Sequence, residues 1–132
     1  MARAAPHASA LETAKRAAGL LLSTFGPGKR SLNEAGFHTG MAATDAMVPM
    51  VTLYQVTGDR KYLDFAEYAV QCFAMPGGSN LDRDLLTKHS VAEAGNGKAY
   101  EMLTNLQGLA QLYRETSKKE YLKLVDIAWK DI

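Results

Sequence analysis

The feature that most constrains the fold of this chain is an internal repeat. Residues 53–63 and 112–122 are identical at five of eleven positions, and both copies begin with Leu-Tyr-x-x-Thr and end with Tyr-Leu. In the same register Pro49 falls opposite Gly108, so each copy carries a weak helix former at the same place. Repeats of this kind are typical of stacked supersecondary units that share one core.

The apolar residues of the chain recur at helical spacing, which predicts an all-α fold of about five main helices. Gly58 followed by Asp59 is typical of a helix stop and an immediate helix start, so neighbouring helices are expected to form antiparallel hairpins. The predicted helices cover residues 9–25, a segment that ends at residue 57, and residues 60–73, 97–116 and 117–132.

Helix starts and one proline refine this prediction. Ser9 with Glu12, and Ser117 with Glu120, have the spacing of capping boxes and are predicted to begin the first and fifth helices. Pro49 is expected either to kink the second helix or to mark a late start of it.

The connections between the predicted helices have two different lengths, and this difference indicates where a functional site is located. The turns inside the hairpins are minimal, whereas a long connection enters the second helix and residues 74–96, with a possible helical turn at 82–86, enter the fourth. Both long connections should therefore lie at one end of the stack, at the N-termini of the paired helices. Binding residues concentrate on loops that a rigid scaffold carries, so we expect a site at this end.

Composition excludes some classes of partner. The length of 132 residues is that of a single domain. Residues 1–8 are expected to be a flexible N-terminus. A net charge of +1 is too small for a nucleic-acid binder. The N-terminal region is charged and its apolar run is short, which argues against a signal peptide or a membrane span. We expect a soluble chain of unknown compartment.

Polar side chains in and behind the long connections are the candidate site residues. Imidazole and carboxylate groups around a cleft can hydrogen-bond sugar hydroxyls or transfer protons, although solvated loop residues have the same composition. Asp45 suits the positive end of a helix dipole and is expected to be a capping residue. The candidate substrate-binding residues are His89, Glu93, Lys98, Glu101 and His38.

Three segments of the chain resemble a known family. They are Thr-Leu-Tyr-Gln-Val-Thr-Gly-Asp-Arg-Lys-Tyr-Leu-Asp at 52–64, Lys-His-Ser-Val at 88–91 and Gly-Lys-Ala-Tyr-Glu-Met at 97–102. With the order of the elements around them, they resemble bacterial glycoside hydrolase family 127, the β-L-arabinofuranosidase type, from about residue 26 onward. The resemblance implies a retaining exo-glycosidase with an (α/α)6 barrel, a carbohydrate ligand and a sugar pocket at the end that carries the long loops. It implies that His89 lies in a segment lining this pocket.

The chain also departs from this family. Lys98 stands where the family often has a second histidine. The resemblance further implies a cysteine nucleophile and a zinc ion held by cysteines and a glutamate, but the single cysteine, Cys72, stands in none of those motifs. We therefore expect no catalytic residue and no zinc ligand in this chain. Five helices are less than half of a twelve-helix barrel, so we expect part of such an enzyme, inactive alone, whose exposed apolar helix faces favour self-association.

Two other classes are compatible with a helical repeat. A tetratricopeptide-like interaction module would bind a peptide in its groove, but its period is about 34 residues and its connections are short. A different α/α-toroid enzyme, such as a sugar epimerase or an unsaturated-uronide hydrolase, would share the architecture and differ in its chemistry.

Overall fold

A computed structural model describes residues 8–35 and 40–132 of the chain, and these residues form helices, turns and one isolated bridge between Phe25 and Arg30. The all-α prediction is confirmed. Six of the helices have eight or more residues, and a short 3-10 helix covers Leu32–Glu34. The α-helices are Ala8–Thr24 (α1), Met41–Thr44 (α2), Met47–Thr57 (α3), Arg60–Gln71 (α4), Leu81–Lys88 (α5), Ala99–Thr116 (α6) and Lys119–Asp131 (α7).

The structure decides between the two predictions for Pro49. The second predicted helix is interrupted between α2 and α3, so that Pro49 is the third residue of α3. A first-turn N–H has no intrahelical acceptor, and a proline there therefore costs no hydrogen bond. Pro49 marks a late start rather than a kink.

Three local predictions differ from the structure. The stretch 74–96 contains α5, which extends the predicted turn at both ends. Ser117 caps the end of α6 in a left-handed conformation, and the N-cap of α7 is Lys118 without a side-chain hydrogen bond, so the capping box predicted there was wrong. Ala8, expected to be part of a flexible segment, begins α1, and Ser9 lies inside that helix. Residues 1–7 lie outside the described part of the chain.

Two antiparallel hairpins, α3 with α4 and α6 with α7, enclose the core. The largest fully buried apolar side chains of this core include Leu63 of α4, Leu109 of α6 and Phe73, which follows α4. The hairpins meet where α3 crosses α6: a Cβ atom built on Gly108 would lie 2.6 Å from the Sδ atom of Met47. Because that distance is shorter than any ordinary contact, the glycine permits the two helices to approach this closely.

The sequence repeat is also a repeat of hydrogen bonds. The hydroxyl of Thr57 donates to the carbonyl oxygen of Leu53 at 2.7 Å and accepts from the N–H of Asp59 at 3.2 Å. Thr116 makes the two equivalent bonds at 2.7 and 3.3 Å. The shared Leu-Tyr-x-x-Thr signature therefore specifies the same helix end twice.

Helix α1 packs loosely on α3 and leaves an apolar groove between them, which we name the α1–α3 groove. Its volume is about 530 Å³. The walls are formed mainly by Ala14, Ala17 and Leu21 of α1 and by Pro49, Leu53 and Val56 of α3. None of the helices in the described residues is long and apolar enough to cross a membrane.

The two hairpin turns differ at one residue, and this difference should be measurable. Gly58 and Ser117 occupy equivalent left-handed positions, with φ of 70° and 59°. A side chain in this conformation costs about 1 kcal/mol relative to glycine. We therefore expect Ser117→Gly to raise the free energy of unfolding by up to about 1 kcal/mol, and Gly58→Ser to lower it by a similar amount, in urea denaturation.

The control for this pair is Ser23→Gly at an exposed position within α1. There glycine should destabilise the helix, because the serine already has a right-handed conformation. A stabilising effect of glycine at both serines would show that backbone conformation is not the cause.

Candidate functional site

The end of the molecule where the long connections enter α3 and α6 holds a cluster of polar groups. At its centre is Asn105, a fully buried residue of α6. Its Nδ2 group lies within hydrogen-bond distance of three acceptors, which are the carbonyl oxygens of Met41 at 3.0 Å and Glu101 at 2.8 Å and Oδ1 of Asp45 at 2.7 Å. The two N–H bonds of the amide are shared among these three oxygens. One side chain thus joins α2, the α2–α3 turn and the second turn of α6.

Asp45 does not have the capping role expected from its position. It lies between α2 and α3, the N-cap residue of α3 is Ala46, and the carboxylate accepts its hydrogen bond from the side chain of Asn105. Burial first, and then the negative charge of Glu101, raises the pKa of Asp45 to about 6. Near neutral pH this carboxyl group is close to its titration point, so it can both accept and supply a proton.

Glu101 is the second carboxylate of the cluster, and its residue is only 8% exposed. The Nδ2 group of Asn96 donates to its Oε2 atom at 3.3 Å, and the Nζ atom of Lys98 lies 3.9 Å from its Oε1 atom. The backbone N–H of Lys98 donates to Oδ1 of Asn96 at 3.1 Å. The structure therefore brings two of the predicted site residues, Lys98 and Glu101, together with Asp45, which the sequence interpretation had set aside as a cap.

Other predicted residues lie in different surroundings. His89 ends α5 in a left-handed conformation and lines a shallow depression against α7, together with Asp126, Lys130 and Asp131. Glu93 is exposed, and its carbonyl oxygen accepts a 2.8 Å hydrogen bond from Lys88. His38 lies outside the described residues.

Asn105 was the residue that sequence reasoning missed. It shares a helix face with the buried Met102, Leu109 and Leu112, at the three- and four-residue spacing that predicts a core position. A polar residue on such a face requires a buried hydrogen-bond partner, and this requirement was the available signal. The oxygen Oδ1 of Asn105 is buried and has no hydrogen-bond partner within the protein.

Comparison with known proteins decides the family. The model of the family described as Beta-L-arabinofuranosidase, GH127 catalytic domain, matches residues 2–132. The chain belongs to this family. No curated protein and no solved structure gives a significant match.

The described residues of this GH127 chain do not fit the zinc site that the family resemblance implies. Among them, no three side chains of His, Cys, Asp or Glu are grouped as a metal ion would require. Cys72, the one cysteine, follows the last turn of α4 and is fully buried in the hydrophobic core.

The raised pKa of Asp45 gives the folding stability of the chain a specific pH dependence. An aspartate has a pKa near 4 in the unfolded chain, so the folded state binds more protons between about pH 4 and 6. Asp45 should therefore reduce stability as the pH rises through this window. We expect Asp45→Asn, which retains an oxygen acceptor for Asn105, to be more stable than the parent above pH 6, with the difference vanishing near pH 4.

Urea denaturation at several pH values would measure this difference. The matched control is Asp126→Asn, which removes an exposed carboxylate paired with Lys130. Exposed ion pairs contribute little, so this control should follow the parent at every pH. Parallel pH profiles for Asp45→Asn and the parent would contradict the assigned ionisation.

Proposed function

We propose that this chain is part of the catalytic domain of a retaining glycoside hydrolase that acts on β-L-arabinofuranosides or related sugars. In this proposal the polar cluster around Asp45, Glu101 and Asn105 forms part of the sugar pocket. The observation that supports it most is the position of this cluster. The buried Glu101 and Asn105 and the partly buried Asp45 lie where the long connections enter α3 and α6, in a chain matched to the family over residues 2–132.

The chemistry of the cluster suits a sugar. Carboxylate and amide oxygens accept hydrogen bonds from hydroxyl groups, and pockets for small molecules combine an apolar frame with a few such fixed polar groups. Asn105 and Asn96 hold the two carboxylates from the protein side, so their orientation does not depend on the ligand. Such fixed partners reduce the entropy lost when a ligand binds.

The remaining candidate residues have separate roles in this proposal. Lys98, beside Glu101, would orient the carboxylate and reach a ring or hydroxyl oxygen. His89, Glu93 and His38 would contribute from the loops that border the pocket. The left-handed backbone of His89 turns the chain away from α5 at this point.

We infer that the chain alone binds sugar without hydrolysing it. A nucleophile must reach the anomeric carbon, and the thiol of Cys72 is fully buried in the core at the end of α4. The helical-repeat module is the less favoured alternative, since the family match and the polar cluster both indicate a small-molecule site rather than a peptide groove.

The test is an NMR titration of the isotope-labelled chain with L-arabinose. Separate titrations with D-xylose, D-galactose and D-glucuronate measure the specificity of binding. We expect saturable amide shifts confined to residues 40–46 and 89–105 with arabinose. Glu101→Gln should weaken the binding about tenfold, because a hydrogen bond to a charged group contributes about 1.5 kcal/mol or more.

The control variant is Glu120→Gln, an exposed glutamate in the first turn of α7, which should bind as the parent does. An assay with a chromogenic β-L-arabinofuranoside should show no release above the buffer rate. A well-dispersed spectrum without shifts at tens of millimolar sugar would refute the sugar surface. Release above the buffer rate would refute the assigned inactivity, and its loss in Cys72→Ser would show that the buried thiol is the nucleophile.

A further inference from the structure

The α1–α3 groove is formed by the side of α3 that faces away from α6. On the α6 side, Met47 contacts Gly108, and the amide of Gln55 donates to Glu115 at 2.7 Å. Successive residues of an α-helix are rotated by about 100°, so Pro49 and Val56 lie on the opposite side of α3. Val56 is 49% exposed there.

The internal repeat relates this groove to a surface that is packed elsewhere in the same molecule. A shift of 59 residues places Gly108 on Pro49, Leu112 on Leu53 and Glu115 on Val56. Gly108 and Glu115 are residues of α6 that contact α3. The groove side of α3 is thus equivalent to the side of α6 that packs on α3. In the second repeat this side is covered by a helix, whereas in the first repeat it borders the open groove.

Helix α6 has a matching free side. The shift that relates the repeats places Met47 and Gln55, the contact residues of α3, on Leu106 and Arg114 of α6. Leu106 is already buried at the edge of this side, with 7% exposure, whereas Arg114 is exposed. This side of α6, opposite Gly108, also carries Leu103, which is 51% exposed, and the half-buried Ala110. We name it the free side of α6.

We infer that two copies of this chain associate head to tail, with the free side of α6 of one copy seated in the α1–α3 groove of the other. The contact would repeat, between molecules, the packing of α3 on α6 within each molecule. Helix α3 carries no charged side chain, so its own groove side loses no charge from water when it is covered. Arg114 of the other copy would lie opposite Val56 near the end of α3, where its guanidinium can remain in water while its methylene groups pack. Burial of the groove and of Leu103 removes exposed apolar surface from both copies.

Head-to-tail association is a heterologous contact, which leaves the groove of one copy and the free side of α6 of the other copy unused. The complex can therefore grow beyond a dimer as the concentration rises. A two-fold contact of groove against groove would instead stop at two copies. This difference makes the geometry testable, and the inference does not depend on the proposed sugar site.

Sedimentation velocity over a range from low micromolar to near-millimolar chain should show association that increases with concentration. Val56→Lys, in the groove, would place a cation opposite Arg114 of the other copy, and Leu103→Asp would place a charge on the free side of α6, so each should abolish the association and leave monomers. Both positions are about half exposed, so the variants should fold, which circular dichroism would verify. The matched control is Leu86→Asp on α5, 40% exposed and outside both surfaces, which should associate as the parent does.

Mixing the two variants provides the decisive measurement. Val56→Lys keeps an intact free side of α6 and Leu103→Asp keeps an intact groove, so one productive contact remains between them. We expect the equimolar mixture to form a dimer of one copy of each, which does not grow further. A parent chain that stays monomeric, or folded variants whose mixture stays monomeric, would overturn the head-to-tail inference.

Discussion

The close approach of α3 and α6 is the contact on which the rest of the structure depends. It requires the absence of a side chain at Gly108, because Met47 occupies the space that a Cβ atom would take. In the interior of a helix, glycine costs about 1 kcal/mol relative to alanine. Burial of Met47 and Val51, both fully enclosed, offsets this cost and holds the two hairpins together.

The same approach positions the polar cluster. Because α3 and α6 cross closely, Asn105 can reach the backbone of Met41 and the carboxylate of Asp45 across the interface. Apolar packing alone would leave the register of the two helices weakly determined. The contacts of one buried amide with acceptors on both sides of the interface define it, since a shifted register would leave the N–H groups of that amide buried without a partner. The geometry of the candidate site and the packing of the two hairpins therefore depend on the same contacts.

Much of this fold could be predicted from the sequence, where local chemistry determines the outcome. The periodic apolar residues indicated the main helices, and Gly58 with Asp59 specified one hairpin turn correctly. At Ser117 the repeat itself was the better guide: its counterpart Gly58 ends a helix, whereas the capping-box spacing suggested a start. Two patterns competed there, and the backbone hydrogen bond from Ser117 to Tyr113 shows which one applies.

The candidate site was harder to predict, because its geometry depends on contacts between residues far apart in the chain. Lys98 and Glu101 are neighbours in sequence and were recognised. Asp45 and Asn105 are 60 residues apart, and only the packing of α3 on α6 brings them into contact. The raised pKa of Asp45 likewise depends on burial and on the charge of Glu101, neither of which is a local property of the sequence.

The full burial of Cys72 has a practical consequence for studying this molecule. A thiol with no exposed surface does not react with labelling reagents until the structure around it opens. Fluorescent or spin labels can therefore be attached to a second cysteine introduced at the surface, without removal of the native one. The rate at which Cys72 itself becomes modified would report how often the end of α4 separates from the core.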